Sequence, residues 1–209
     1  MQAFSLCKKE CPNNIPVTVS NKLGDGADGD VYDISGSPNK VIKFGVLYDD
    51  FINPLSIKYL DIENALHYIK NNNPSVCACV YDYNFLIQST RKVMVGTQDY
   101  ILYYYIMEKL NKISDDEKKV FHTILSHEDR NLEKHFSARE VTKILSALSK
   151  GLDFDIVKVT NFYNKVINSS IKHLDMHPRN IMKAHDGSFK FIDFDRINIE
   201  EGNGNVKKY

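Results

Sequence analysis

Apolar residues along this chain keep two different rhythms, and the change falls near Leu110. Before it, short runs suit strands. Val17 to Leu23 alternates loosely, Val31-Tyr32-Asp33-Ile34 is brief, and Lys40-Val41-Ile42-Lys43-Phe44 follows the turn Ser35-Gly36-Ser37-Pro38-Asn39, so loop length predicts an antiparallel meander. Residues 1–16, with Pro12, Asn13, Asn14 and Pro16 as breakers, read as an irregular lead-in. A helix follows. Asn53 suits its cap and Pro54 its first position, Leu55, Tyr59, Ile62, Leu66 and Ile69 recur at helical spacing, and Asn71-Asn72-Asn73-Pro74 stops it. Two further strands are expected around Val80 to Leu86 and Tyr100 to Met107, joined by a polar loop containing Gly96.

Beyond Leu110 the rhythm is helical. Ser114 with Glu117 forms one capping box, opening a helix to about Ser126. Ser137 with Glu140 forms another, with Phe136 stapled onto Val141, opening a helix that ends at Gly151. A third helix near Asp155 to Ser169 places Ile156, Val159, Phe162 or Tyr163, and Val166 on one side. Two short strands, Asn180-Ile181-Met182 and Phe189-Lys190-Phe191-Ile192, turn at Asp186-Gly187. The expected fold class is α+β in two lobes: an antiparallel sheet with one helix over 17–110, then a small, mainly helical part over 111–209.

Composition narrows the function classes. Hydrophobic residues make up 43% of the 209 and charged residues 26%, as in an ordinary globular protein. Lysine plus arginine, 27, balances aspartate plus glutamate, 27, so no global field favours nucleic acid or an anionic membrane. No run approaches the roughly 18 apolar residues of a membrane helix, and the N-terminus has no signal-peptide pattern. The expected location is cytoplasmic. Cys7/Cys11 and Cys77/Cys79 lack the usual zinc-ligand spacing and read as reduced structural thiols.

The candidate chemistry lies in three places. Gly24, Gly26 and Gly29 form Gly-x-Gly-x-x-Gly, but the residues that follow look like a strand, which argues against a dinucleotide-binding turn into a helix. The remaining choices are a phosphate-covering turn between strands, an ordinary hairpin, or a loose calcium loop using Asp25, Asp28 and Asp30; the last lacks the ligand order and the distal glutamate. Lys43 ends an apolar strand. If directed inward it must meet an anion, because a buried unpaired ammonium is costly. Glu63, on the following helix, is placed to pair with it or to face solvent. The third place is His173-Leu174-Asp175-Met176-His177-Pro178-Arg179-Asn180, followed by Ile192-Asp193-Phe194-Asp195. Phosphoryl transfer needs a carboxylate to orient the attacking hydroxyl and hard oxygen ligands for magnesium. Asp175 fits the first task, Asn180 and Asp193 the second.

Taken in order, the set resembles the protein-kinase superfamily from about Val17 to Arg196. The resemblance implies a two-lobed kinase-like fold, ATP and magnesium as cofactors, and a protein substrate. It assigns Gly24, Gly26 and Gly29 to the glycine-rich loop, Lys43 and Glu63 to the strand lysine and helix glutamate, Asp175 and Asn180 to the catalytic loop, and Asp193 to the metal. Tyr105-Ile106-Met107-Glu108-Lys109-Leu110 is similar to the strand and hinge that receive adenine, with Met107 as gatekeeper and backbone from Glu108 to Leu110 along the base.

Three departures shape the expectation. His177 stands where serine/threonine kinases carry a lysine; Asp-x-His-x-x-Asn is similar to aminoglycoside and choline phosphotransferases and to small phage or bacterial kinase-like proteins. His177 then positions the catalytic loop or is simply structural. Asp193-Phe194-Asp195 replaces Asp-Phe-Gly, with Asp195 expected as a turn cap. The sequence ends soon after Asp195, which leaves no room for an activation segment and resembles minimal phage or effector kinases, with the host cytoplasm as location in that case. A serine/threonine protein kinase leads, with a small-molecule phosphotransferase and a non-catalytic binder behind it.

Overall fold

The computed structural model describes residues 2–8, 11–26, 29–49, 54–93, 96–127 and 138–199. The architecture is α+β. Two compact units divide the described chain: one takes residues up to Asn73 together with Cys79–Lys109, the other Pro74–Ala78 and residues 110–199.

The first unit is one antiparallel sheet. Its strands are β1 (Gln2–Lys8), β2 (Cys11–Gly26), β3 (Gly29–Ile34), β4 (Ser37–Tyr48), and, after helix α1 (Leu55–Asn72), β5 (Val80–Lys92) and β6 (Thr97–Glu108). The order is β1-β2-β3-β4-β6-β5. Residues 1–16 were expected to be irregular, yet β1 and the start of β2 form a hairpin, with Gln2 opposite Val19 and Lys8 opposite Cys11. The prolines do not prevent it. The ladder of β2 with β3 begins only at Val19, so over residues 11–16 one edge of β2 lies outside that ladder, where a missing N–H is tolerated.

Both faces of the middle strands are covered. On β6, Tyr103, Tyr104 and Tyr105 are successive and all buried, so the tyrosine-rich run packs as core on both sides of the sheet. Tyr104 sits with Val17, Val19 and Ile42 on one face. On the other, Tyr59 of α1 meets Phe85 at a centroid distance of 4.4 Å, Phe85 meets Tyr103 at 5.9 Å, and Tyr103 stacks on Tyr105 at 6.4 Å. α1 starts one residue later than expected. Pro54 is its cap rather than its first residue, and the Asp49 carboxylate takes the Leu55 N–H at 2.8 Å. Asn53, the expected cap, lies outside the described residues. The helix stops where anticipated, at Asn73 in the left-handed region (φ 43°), a conformation asparagine tolerates.

The second unit is helical with small sheet pieces. It contains β7 (Asn111–Lys112), α2 (Asp115–His127), α3 (Ala138–Leu148), α4 (Ile156–Ile167), β8 (Ile171–His173), β9 (Ile181–Lys183), β10 (Phe189–Phe191) and β11 (Ile197–Ile199). The first capping box is present: the Ser114 N–H donates to Glu117 Oε2 at 2.8 Å and the Glu117 N–H to Ser114 Oγ at 3.1 Å, an arrangement that contributes about 1 kcal/mol. Glu117 is also buried against Lys183 on β9, so one carboxylate both caps α2 and ties it to the β9–β10 hairpin. The second box and its staple rest on Phe136 and Ser137, outside the described residues. Asp155 caps α4 through the Lys158 N–H at 3.0 Å. Phe121, Phe162, Phe189 and Phe191 pack edge to face at 5.0–6.0 Å and form the core under the hairpin. Among the described residues no helix is long and apolar enough to cross a membrane.

Candidate functional site

In the first unit the candidate residues stand on the sheet. Gly24 and Gly26 lie on β2 and Gly29 opens β3, pairing Gly24 with Val31 and Gly26 with Gly29; the loop tip, 27–28, is outside the described residues. The three glycines do not have one common reason. A Cβ on Gly29, which has φ +143°, would lie 1.9 Å from the Phe44 carbonyl oxygen, so the β3–β4 ladder itself requires glycine there. A Cβ on Gly24 would meet nothing within 4 Å, so the protein's own packing does not demand glycine at that position. Asp30, beside Gly29, is neutralised locally. Lys22 Nζ lies 2.9 Å from Oδ1 and the Tyr32 hydroxyl donates to Oδ2 at 3.2 Å. The Lys22 bond holds the Asp30 carboxyl below its usual range.

Lys43 is 6% exposed on β4, flanked in the ladder by Val31 and Tyr105, with Nζ 5.7 Å from the Tyr105 ring centroid. The strand therefore does direct the lysine inward. The expected ion pair with Glu63 is not formed. Among the described residues Glu63 has no salt-bridge partner, and the group that feels its charge is Tyr83, whose hydroxyl is held above its usual range first by burial and then by Glu63. The layer of rings from Tyr59 to Tyr105 occupies the space between α1 and the sheet face that carries Lys43.

Met107 is buried on β6 between Val41 and Val80. After it the backbone is already engaged: the Glu108 N–H donates to the Cys79 carbonyl and the Lys109 N–H to the Asn39 carbonyl, each at 2.9 Å. The Glu108 carboxylate accepts from the Cys79 N–H at 3.3 Å. Of the three expected hinge N–H groups, Leu110's is the one with no acceptor among the described residues.

In the second unit Asp175, Asn180 and Asp193 are held by loops. His173 is 3% exposed and organises them. Its Nε2–H donates to the Ile192 carbonyl at 3.1 Å, and its Nδ1 accepts the Asp175 N–H at 3.2 Å. These two partners select the neutral Nε2–H tautomer. Burial pushes the pKa of His173 below its ordinary value, which keeps the ring uncharged. Sequence reasoning gave His173 no role. The cue was available, because a histidine two residues before a candidate catalytic carboxylate can bond to that residue's backbone.

Asn180 closes the loop on the other side. Its amide donates to the Asp175 carbonyl at 3.0 Å and, more weakly, to Asp175 Oδ2 at 3.4 Å. The Ile192 N–H donates to the Asn180 carbonyl at 2.9 Å, so the β9–β10 hairpin returns the chain beside Asn180 as its turn at Gly187 predicts. Asp193 follows in the left-handed region (φ 67°, ψ 76°), and Phe194, fully buried, anchors it from below. Asp193, not Asp195, holds the cap position of the 3-10 turn Phe194–Arg196 and makes no side-chain capping bond; Asp195 lies inside that turn, which corrects the expected cap. His177 accepts the Arg179 N–H through Nδ1 at 3.1 Å and caps the turn Pro178–Asn180. Its bond is a loop-positioning one.

These residues suit a magnesium site on a nucleotide. Among the described residues no three His, Cys, Asp or Glu side chains form a cage. Magnesium needs none, since it commonly takes one or two protein oxygens and fills its shell with phosphate and water. With its amide nitrogen turned to Asp175, Asn180 could offer its oxygen to such an ion, and Asp193 could offer a carboxylate.

No family model matches this sequence, and no curated protein matches it. The chain is similar in fold to protein kinases. One solved structure, the ROP18 kinase domain in complex with AMP-PNP and sucrose, matches 98% of this chain and 58% of its own at 14% identity and a TM-score of 0.48. Another, ROP2 from Toxoplasma gondii, described as a virulence factor with a protein-kinase fold and no enzymatic activity, matches 100% and 57% at 12% identity and a TM-score of 0.47. This chain thus spans little more than half the length of either. Scores of this size carry no inference about activity or individual residues.

Proposed function

We propose that this chain binds ATP with magnesium and transfers the γ-phosphoryl group to a hydroxyl, with serine or threonine of a protein as the acceptor. The observation that supports this most strongly is the loop around Asp175. A carboxylate, an amide and a second carboxylate are brought together by His173, Asn180 and the β9–β10 hairpin. Of the two kinase-fold neighbours, one holds an ATP analogue and the other has no enzymatic activity, so the choice falls on this chain's own side chains.

Each residue has a task. Lys43, directed inward and desolvated, holds phosphate oxygens. Gly24 leaves room for close backbone approach to them. The Leu110 N–H donates to the base, with Met107 behind it. Asn180 and Asp193 would hold magnesium, which would supply positive charge against the phosphates. Asp175 orients the acceptor hydroxyl and accepts its proton. His173 and His177 touch no reacting atom; they position the loop. Glu63 makes no ion pair with Lys43 as it stands; the β4 ladder fixes the backbone of the lysine.

Transfer of labelled γ-phosphate from ATP with magnesium tests the reading, using a cell lysate and a panel of amino alcohols and aminoglycosides as acceptors. Wild type labels protein bands. Asp175→Asn keeps ATP affinity but loses on the order of 10²-fold or more in rate. Label on a small molecule would favour the small-molecule phosphotransferase. An Asp175→Asn variant with normal rate and lost affinity would remove Asp175 from its role.

A further inference from the structure

Two arginines beside Asp175 have no use in the loop they stand on. Arg179 sits in the turn Pro178–Asn180, next to the asparagine whose amide bonds to Asp175. Arg196 ends the turn Phe194–Arg196, and its carbonyl accepts at 2.8 Å the N–H of Leu174, the residue before Asp175. Both side chains are exposed, and among the described residues neither guanidinium has a hydrogen-bond or ion-pair partner. Six lysines elsewhere are ion-paired: Lys22 with Asp30, Lys70 with Asp82, Lys109 with Asp33, Lys118 with Asp115, Lys119 with Asp116 and Lys183 with Glu117. Leu174, the residue before Asp175, is 52% exposed, an apolar side chain bare to solvent.

We propose that Arg179 and Arg196 select an acidic acceptor: a peptide segment whose hydroxyl is flanked by carboxylates, with an apolar residue against Leu174. The proposal rests on the phosphoryl-transfer reading and names its substrate class. A segment bearing carboxylates would meet like charge at Asp175 and Asp193, so it needs local cations to approach at all. The chain as a whole is neutral and supplies none by net charge. The guanidiniums of Arg179, next to Asn180, and of Arg196, whose backbone holds Leu174, supply them, in the planar form that grips carboxylates with two parallel bonds. A basic segment meets the same two cations as repulsion, which gives discrimination in both directions.

The chemical step is unchanged by this selection. The acceptor oxygen forms a bond to the γ-phosphorus, the bond from that phosphorus to the bridging oxygen breaks with its electron pair leaving on ADP, and the hydroxyl proton passes to Asp175. The arginines touch none of these atoms. They act on acceptor affinity.

The test uses three peptides, each with one serine, flanked by glutamate, alanine or lysine. Transfer and equilibrium binding (fluorescence anisotropy, protein loaded with a non-hydrolysable ATP analogue and magnesium) are measured for the wild type and for Arg179→Ala/Arg196→Ala. The wild type is expected to use the glutamate peptide at least ten-fold better in kcat/KM than the lysine peptide. In the double variant KM for the glutamate peptide rises about ten-fold, while kcat and the KM for ATP stay unchanged. Equal use of all three peptides, or preference for lysine, overturns the proposal and leaves the transfer reading standing. Charge-selective binding without transfer supports the arginine assignment and overturns the transfer reading instead. Absence of both transfer and selective binding overturns the proposal.

Discussion

The two units hold their functional residues in different ways. In the first, Lys43, Gly24, Gly29, Met107 and Glu108 all belong to a continuous antiparallel ladder, and their positions follow from register: Val31 opposite Lys43, Lys43 opposite Tyr105, Val41 opposite Met107. In the second, Asp175, Asn180 and Asp193 stand on loops between three-residue strands, and single bonds from side chains to backbone decide their positions. A ladder shares strain over many bonds. A loop tied by one histidine does not. The ladder should thus fail only where its backbone is blocked, and the loop should fail through one side chain with the rest of the fold intact.

The largest effect is expected where the ladder is blocked outright. Gly29→Val places Cβ against the Phe44 carbonyl at a φ that valine avoids, and should destabilise the protein by roughly 2–4 kcal/mol, read by denaturant unfolding. Gly24→Val is its control. It meets no protein atom, so stability should change by no more than about 0.5 kcal/mol while ATP affinity falls. If the two variants are equally destabilised, the two glycines do not differ as described.

A smaller loss of stability is expected on the loop side. His173→Phe keeps a ring against Phe191, 4.9 Å away in the wild type, but leaves the Ile192 carbonyl and the Asp175 N–H without their partner, at a cost of about 2 kcal/mol. Because the histidine positions and does not bind nucleotide, kcat should fall by about ten-fold or more with the KM for ATP unchanged. The variant also tests pH dependence. The folded pKa of His173 lies below its ordinary 6.5, so below that pH the unfolded chain takes up a proton that the folded chain refuses. Wild-type stability therefore declines as pH falls from about 6.5 towards the lowered folded value, and His173→Phe removes that part of the decline. An identical acid slope in the variant would show that the ring is not held neutral.

The contrast also explains what could be seen in the sequence. Alternation and turn residues were enough for the meander, because a half-buried ladder writes its period directly into the chain. Ser114 and Glu117 announced their capping box because both partners lie within one turn. The β1–β2 hairpin was hidden because Pro12 and Pro16 signal a breaker, and the sequence does not reveal that the β2–β3 ladder begins only at Val19. The absent Lys43–Glu63 pair was hidden for another reason. Helix spacing puts Glu63 on the face of Tyr59, but only the packed rings of Phe85 and Tyr103 reveal how much space lies beneath that face. Asp175, Asn180 and Asp193 stood out as candidates by residue type and spacing, Asp175 for the acceptor hydroxyl and the other two for a metal. The histidine that holds them did not, since its two bonds are to backbone atoms of Asp175 and Ile192, and the latter is far along the chain.

The central claim, that the loop around Asp175 and Asp193 is a magnesium-nucleotide site, is tested most directly by calorimetric titration of ATP with magnesium and with the metal chelated. Wild type and Asp193→Ala are compared after checking that both unfold at similar temperatures. The wild type should bind ATP at least ten-fold more tightly with magnesium than without, and Asp193→Ala should bind equally weakly in both conditions. Magnesium-dependent binding that survives Asp193→Ala unchanged, or a wild type that does not bind ATP, would contradict the account.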